Sequence, residues 1–155
     1  MYDMRQLNVR YFEVEVTGDS LIAVGVMNVS KDTEYQNTLV GWQQMICGYH
    51  SDDGIIYKDY INNVYDTGIR YGEKTGTRNV GVGLVFNVLQ TECDIFFTCN
   101  GKRVFQNYFD VDYIAAAISM NTFNKIVINY GEKPFKFDLN MMKEQLVNCI
   151  DGTQL

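Results

Sequence analysis

Tyr49-His50-Ser51-Asp52-Asp53-Gly54 is the one stretch of this chain where an imidazole stands within three positions of two carboxylates. Such a trio suggests two chemistries: a carboxylate-oriented histidine as general base, or one nitrogen and several oxygens around a cation. General acid–base work needs a nucleophile or electrophile within hydrogen-bond reach, and no Ser, Cys or second His has a motif context here. Calcium needs ~6 or more oxygen ligands, and the ladder of acidic positions that would supply them is missing. Asx side chains closing a tight turn, with Gly54 supplying a permissive backbone, account for the stretch at less cost. Gly81 and Gly83 imitate the opening of a phosphate loop, but they lie inside a strand-like run with no helix behind them. Close packing between strands is the expectation there. Cys47, Cys93, Cys99 and Cys149 form neither a CxxC pair nor a zinc spacing. These residues predict no catalytic group, no metal and no cofactor: the chain is not read as an enzyme.

The elements that must position any site are strands. The chain has 155 residues, 46% of them hydrophobic and 21% charged, which is one domain's worth of a packed globule. The net charge of −6 argues against nucleic acid and anionic membranes as partners, because both demand clustered Lys and Arg. Only Lys102-Arg103 approaches a basic cluster, at a turn. No apolar run nears the ~20 residues of a membrane helix, and Met1 to Arg10 lacks the apolar core of a signal peptide. Cysteines without partners predict reduced thiols and a cytoplasmic or nuclear location. Cys93 and Cys99, on one strand, would stand ~20 Å apart at ~3.3 Å per residue, too far to bond.

Tyr11 to Val16 alternates apolar and polar residues, so Phe12, Val14 and Val16 share one face and Glu13 and Glu15 the other. Thr17-Gly18-Asp19-Ser20 reads as a turn, and Leu21 to Met27 as the returning strand. Asn28 to Tyr49 reads as a polar loop, Ile55-Ile56-Tyr57 as a short strand, and Lys58 to Gly72 as a second irregular segment. Val80 to Leu89 is apolar on both faces, as a central strand would be. Cys93 to Cys99 then runs back beside it, and Asn100-Gly101 is a two-residue hairpin turn leading to Val104-Phe105. Tyr113 to Ser119 and Lys125 to Tyr130 complete the set. Short strands without interleaved helices predict an all-β fold, a two-sheet antiparallel β-sandwich. Leu139, Met142, Leu146, Val147 and Ile150 fall at helical spacing and predict a C-terminal helix. The division expected is a sandwich over 9–138 and a helix and tail over 139–155, the latter a junction to a following region.

Six pieces of the chain, in order, resemble the SPRY domain, in particular its Ran-binding-protein-M subgroup. They are Tyr11-Phe12-Glu13-Val14, Val24-Gly25-Val26, Gly41-Trp42, Gly48 to Gly54, Thr98 to Gly101 with Tyr71-Gly72 before it, and Asn129 to Asp138. The chain departs from the pattern where the strand and arginine-bearing segment before Tyr-Phe-Glu-Val are absent. It departs again where Asn79-Val80 replaces Gly-Asp, and where Lys58 to Arg70 is longer and carries its own aromatics. The resemblance implies a non-catalytic protein–protein interaction module whose strand-end loops bind short peptide segments of partner proteins. It also implies a place in a ubiquitin-ligase scaffold or substrate adaptor, with ligase subunits among the partners. A lectin-like carbohydrate-binding sandwich is the alternative.

Matched position by position, the resemblance puts Asn28, Tyr57, Ser119, Met120 and Asn121 in the peptide-binding pocket and Trp42, Tyr35 and His50 on its rim. Asn28 and Asn121 would hydrogen-bond peptide amides, Tyr57 would form an aromatic wall, and Met120 an adaptable apolar contact. Trp42 reads first as the plug of a long loop, its indole edge lining the pocket. Tyr35, Tyr57, Tyr60, Tyr65 and Tyr71 lie in or beside irregular segments, where tyrosines give large contact area at small entropy cost.

Overall fold

The computed structural model describes residues 7–18, 21–29, 39–41, 46–58, 64–72, 76–87, 92–110, 114–120 and 125–150. Among these residues ten strands form two five-stranded antiparallel sheets. They are β1 Leu7–Thr17, β2 Ile22–Asn28, β3 Ile46–His50, β4 Ile55–Lys58, β5 Val64–Asp66, β6 Thr77–Asn87, β7 Glu92–Cys99, β8 Lys102–Asp110, β9 Ile114–Met120 and β10 Ile126–Asn129. The first sheet runs β10-β1-β6-β7-β8 and the second β5-β4-β3-β2-β9. One helix follows, α1 Leu139–Ile150. The predicted antiparallel sandwich with a C-terminal helix is what forms.

Period-two alternation places the core. Phe12, Val14 and Val16 from β1 and Val80, Val82 and Leu84 from β6 meet Ile22, Val24, Val26, Tyr49 and Ile56 of the second sheet. β6 is apolar on both faces from Val80 to Phe86: Val80, Val82 and Leu84 face the core and Val85 packs in the cluster of Tyr11, Phe96 and Met142, while β1 and β7 pair with its two edges. The Asn100-Gly101 turn has φ of 49° and 83°, both positive as a type I′ hairpin requires. Gly81 and Gly83 are strand residues packed from above: a Cβ on Gly81 would overlap the Tyr11 and Thr98 hydroxyls, and one on Gly83 the Phe96 ring.

Two strands escaped the sequence reading. β3 lies in what read as loop, because Gly48 and His50 break the apolar alternation on one side. β5 is only three exposed residues long. β1 also starts at Leu7 rather than Tyr11, paired to β6 as far as Asn87. Cys47 sits within β3. Cys47, Cys93 and Cys99 are buried and form no disulfide, and burial pushes the Cys93 thiol up to about 12, with Asp94 adding to it. Among the described residues no helix is long and apolar enough to cross a membrane.

The register gives the sandwich two ends. At one lie the strand ends at Thr17, His50, Cys99 and Met120; at the other, those at Asn28, Lys58, Asn87 and Asp110.

Candidate functional site

The outer face of the second sheet is where most of the described candidates meet. Ala23, Gly25 and Met27 of β2, Gly48 and His50 of β3, Ile55 and Tyr57 of β4, and Ala117 and Ser119 of β9 alternate with the core residues and so point away from the first sheet. Across this face lies a strap, Leu39 to Gly41, packed on Ala23, Ala117 and Met27. Two side chains hold it. The Ser119 hydroxyl accepts the Val40 N–H at 2.8 Å, and His50 Nε2 donates to the Val40 carbonyl at 2.7 Å. Gly48 has no side chain because the Val40 carbonyl occupies that space. Gly41, at φ 103°, likewise lies against the backbone and Cβ of Tyr57. The strap is a feature the sequence did not disclose as such; the glycines of Gly41-Trp42 and Gly48-Tyr49-His50 were its only signal.

His50 is 1% exposed. Burial holds its pKa below the ordinary 6.5, against the opposing pull of Val40, Asp53 and Asp52, so the ring is neutral. With Nε2–H bound to a carbonyl and the ring out of solvent, it does not line an open rim. Its place is under the strap. The ligand-type atoms of His50, Asp52 and Asp53 lie within 4.8 Å of one another. Asp53 is already committed to the turn: one oxygen accepts Ile55 N–H at 2.9 Å and the other accepts the Tyr57 hydroxyl at 2.7 Å. This is the Asx turn that the residue types suggested.

Tyr57 is half-buried, with its ring 4.4 Å from that of His50 between centroids. Burial, then the hydrogen bond and charge of Asp53, pushes its phenol up to about 12. The neutral hydroxyl is thus a fixed donor that holds the ring against His50.

The remaining predicted residues divide. Met120 is 43% exposed at the end of β9, opposite Ile22 and on the alternation that faces the other sheet, not on the face of Tyr57. Asn28 pairs with Ile114 at the other end of β2, six positions from the Ile22–Met120 pair and so ~20 Å from it. The geometry therefore brings together Tyr57, His50 and Ser119, and separates Asn28 from Met120. Tyr35, Trp42, Tyr60 and Asn121 lie outside the described residues. Tyr71 is no surface tyrosine: it is fully buried, its hydroxyl donating to the carbonyls of Tyr49 and Ile22, the latter at 3.1 Å. Tyr65 is 38% exposed and lies against Phe105, where β5 meets β8.

Two further groups hold the turns in place, and neither showed in the sequence. The buried Arg78 guanidinium donates to the carbonyls of Tyr71 (2.6 Å), Gly76 (3.0 Å) and Gly18 (2.7 Å). Ser51, where the SPRY pattern has glycine, accepts the Ile22 N–H through its hydroxyl at 2.9 Å and gives its own N–H to the Ile22 carbonyl at 2.9 Å. Both serve backbone groups that a turn leaves without partners.

Comparison with known proteins agrees with this architecture. The chain is 28% identical over 131 residues to the Ran-binding protein M homolog of Arabidopsis thaliana, covering 83% of this chain and 26% of that protein. It is 29% identical over 144 residues to the Ran-binding proteins 9/10 homolog of Drosophila melanogaster, covering 90% of this chain and 14% of that one. The chain thus spans about a quarter or less of the length of these curated relatives. A crystal structure of a human SPRY domain superposes with a TM-score of 0.63 at 22% identity, covering 86% of this chain and 81% of that one. The family model for the SPRY domain matches residues 9–133. A five-on-five sandwich with a clamped strap, matched over most of its length by that model, belongs to the SPRY domain family of protein-interaction modules.

Proposed function

We propose that this SPRY domain captures a short extended peptide of a partner protein, without catalysis, at the Tyr57 side of the strapped face and the strand-end loops beside it. The observation that carries this reading is the state of Tyr57. Its hydroxyl is pinned by Asp53 and its ring rests on His50, yet the residue stays partly accessible beside the strap. A rigid, partly exposed aromatic loses little entropy on binding, which is what a contact residue needs. Asn28, the last residue of β2, lies two strands over and three positions along from Tyr57, on the alternation that faces the first sheet, at the end of the sandwich that Tyr57 also approaches. At ~4.8 Å per strand and ~3.3 Å per residue the two backbones are ~14 Å apart, the reach of about five extended residues. Ser119 acts through the strap, by positioning Val40. Met120 belongs to the far margin of the surface, with Asn121, Tyr35 and Trp42 as further contacts.

Tyr57→Ala combined with Asn28→Ala should weaken capture of the partner about tenfold or more, with the melting temperature within a few degrees of wild type. Undiminished binding by the folded double mutant would refute the assignment. The wider role proposed is that of a scaffold or substrate adaptor of a ubiquitin ligase in the cytoplasm or nucleus, with α1 as the junction to a following region. Affinity purification from native cells with mass spectrometry decides it: recovery of ligase subunits supports the scaffold, and their absence removes it.

A further inference from the structure

We propose that the first half of β1 is a second docking edge, which takes an extended segment of another polypeptide as an added strand bearing an acidic residue opposite Arg10. β1 is paired with β6 from Leu7 to Thr17, but with β10 only from Glu13 to Val16. Among the described residues, Leu7 to Phe12 thus have a strand neighbour on one side only, and no other backbone hydrogen bond reaches them. In an antiparallel sheet alternate residues turn both N–H and C=O to the same side, so half of these six present donor and acceptor to the open edge.

The gap is built into the chain. β10 stops because Asn129 reverses it: its side-chain oxygen accepts the N–H groups of Gly131 (2.9 Å) and Lys133 (3.2 Å), and its amide donates to the Lys133 carbonyl (3.0 Å). Glu13 then takes the N–H groups of Lys136 and Phe137 on the outer face, so these two do not pair with the edge. The chain that could have continued β10 is used elsewhere.

An edge of this kind is usually blunted by proline, lysine, a bulge or an inward charge. Leu7 to Phe12 contain none of these except Arg10, which is exposed, lies 5.9 Å from the centre of the Phe86 ring, and has no carboxylate partner among the described residues. An apolar or basic residue set opposite Arg10 would desolvate or repel its charge, whereas an acidic one would pair with it. Two positions along the same face stands Phe12, with the 60%-exposed Tyr130 ring 5.8 Å from it. The occupant is therefore an extended segment with an apolar residue two positions from an aspartate or glutamate. Backbone pairing supplies the contact, and the two side chains supply the choice.

The test is selection of a random heptapeptide display library against the whole chain. Selected peptides should carry the apolar–x–acidic pattern, protect the amides of residues 8–12 from hydrogen exchange on binding, and bind Arg10→Glu at least tenfold more weakly. Repeating the selection on Arg10→Glu should replace the acidic residue with a basic one. Tyr57→Ala, on the other sheet, should leave these peptides' affinity unchanged. Arg10 and Tyr130 are exposed, so Arg10→Ala and Tyr130→Ala should melt like wild type and still lose binding. The proposal is overturned if no peptide is selected, if binders ignore Arg10→Glu, or if binding is lost with Tyr57→Ala. It is equally overturned if peptides bind only after residues 1–6 are deleted, since the chain's own start would then be the occupant.

Discussion

Both sheets have their outer faces crossed by another part of the chain, and the two crossings are held by opposite chemistry. On the first sheet a buried carboxylate does the holding. Glu13, 4% exposed, accepts the Tyr11 hydroxyl (2.9 Å) and the N–H groups of Lys136 and Phe137 (both 3.0 Å). Because Tyr11 donates to Glu13, the Thr98 hydroxyl 2.7 Å away donates to Tyr11, and no polar atom of the cluster is stranded. Phe135, Phe137 and Met142 then close over Tyr11 and Phe96, docking α1. On the second sheet neutral groups, His50 and Ser119, hold Val40 by one bond each. The first crossing seals a face under aromatic rings; the second leaves Tyr57 accessible beside the strap. A charged clamp with three donors resists opening more than two neutral bonds do, so the adaptable surface is expected on the second sheet.

The largest effect that tests this contrast is removal of the charged clamp. Glu13→Ala removes the acceptor of the Lys136 and Phe137 N–H groups, while the Tyr11 hydroxyl can turn to Thr98, and should cost about 3 kcal/mol in urea unfolding. Amide protection in α1 should fall first, while β6 and β7 stay protected. Loss of all protection together would mean that the C-terminal segment and the sandwich are one cooperative unit.

The neutral clamp should be cheaper to disturb. Gly48→Ala drives a Cβ into the Val40 carbonyl and should cost about 2 kcal/mol, the strap lifting rather than the sheets parting. A cost above that of Glu13→Ala would reverse the ranking of the two faces.

The smallest effect is a pH dependence confined to the second face. His50 is held below its ordinary pKa of 6.5, so in this range the unfolded chain binds a proton that the folded one refuses. Stability from this group is therefore complete above 6.5 and lost as pH falls below it. Thermal melts from pH 7.5 to 5 should show that slope, and His50→Gln, which can still donate to Val40, should flatten it. A slope unchanged in the variant would assign it to other groups.

How much of this was legible beforehand follows from the range of the interactions. Residues 11–16 carry their strand identity in local alternation, 22–27 and 80–87 in short apolar runs, and Asn100-Gly101 carries its turn in two residues whose backbones tolerate positive φ. The Asx turn at Asp53 and the helical spacing from Leu139 are equally local, and these were read correctly. β3 was hidden because its outer positions, Gly48 and His50, are chosen to fit a strap eight to ten residues away in sequence, not to alternate. Glu13 looked like a solvent-facing partner of Glu15, and only the return of residues 136 and 137 makes it an interior acceptor. The candidate site shows the same division. Residue types marked Tyr57 and His50 as worth attention, but their surroundings, one half-buried beside Gly41 and the other buried under Val40, depend on the strap lying across them. Local patterning of apolar, polar and turn residues determined that this chain folds as a SPRY sandwich. Which polar side chains became interior clamps and which aromatic stayed at the surface was decided by contacts between segments distant in sequence, whose hydrogen bonds exist only once the two sheets have closed.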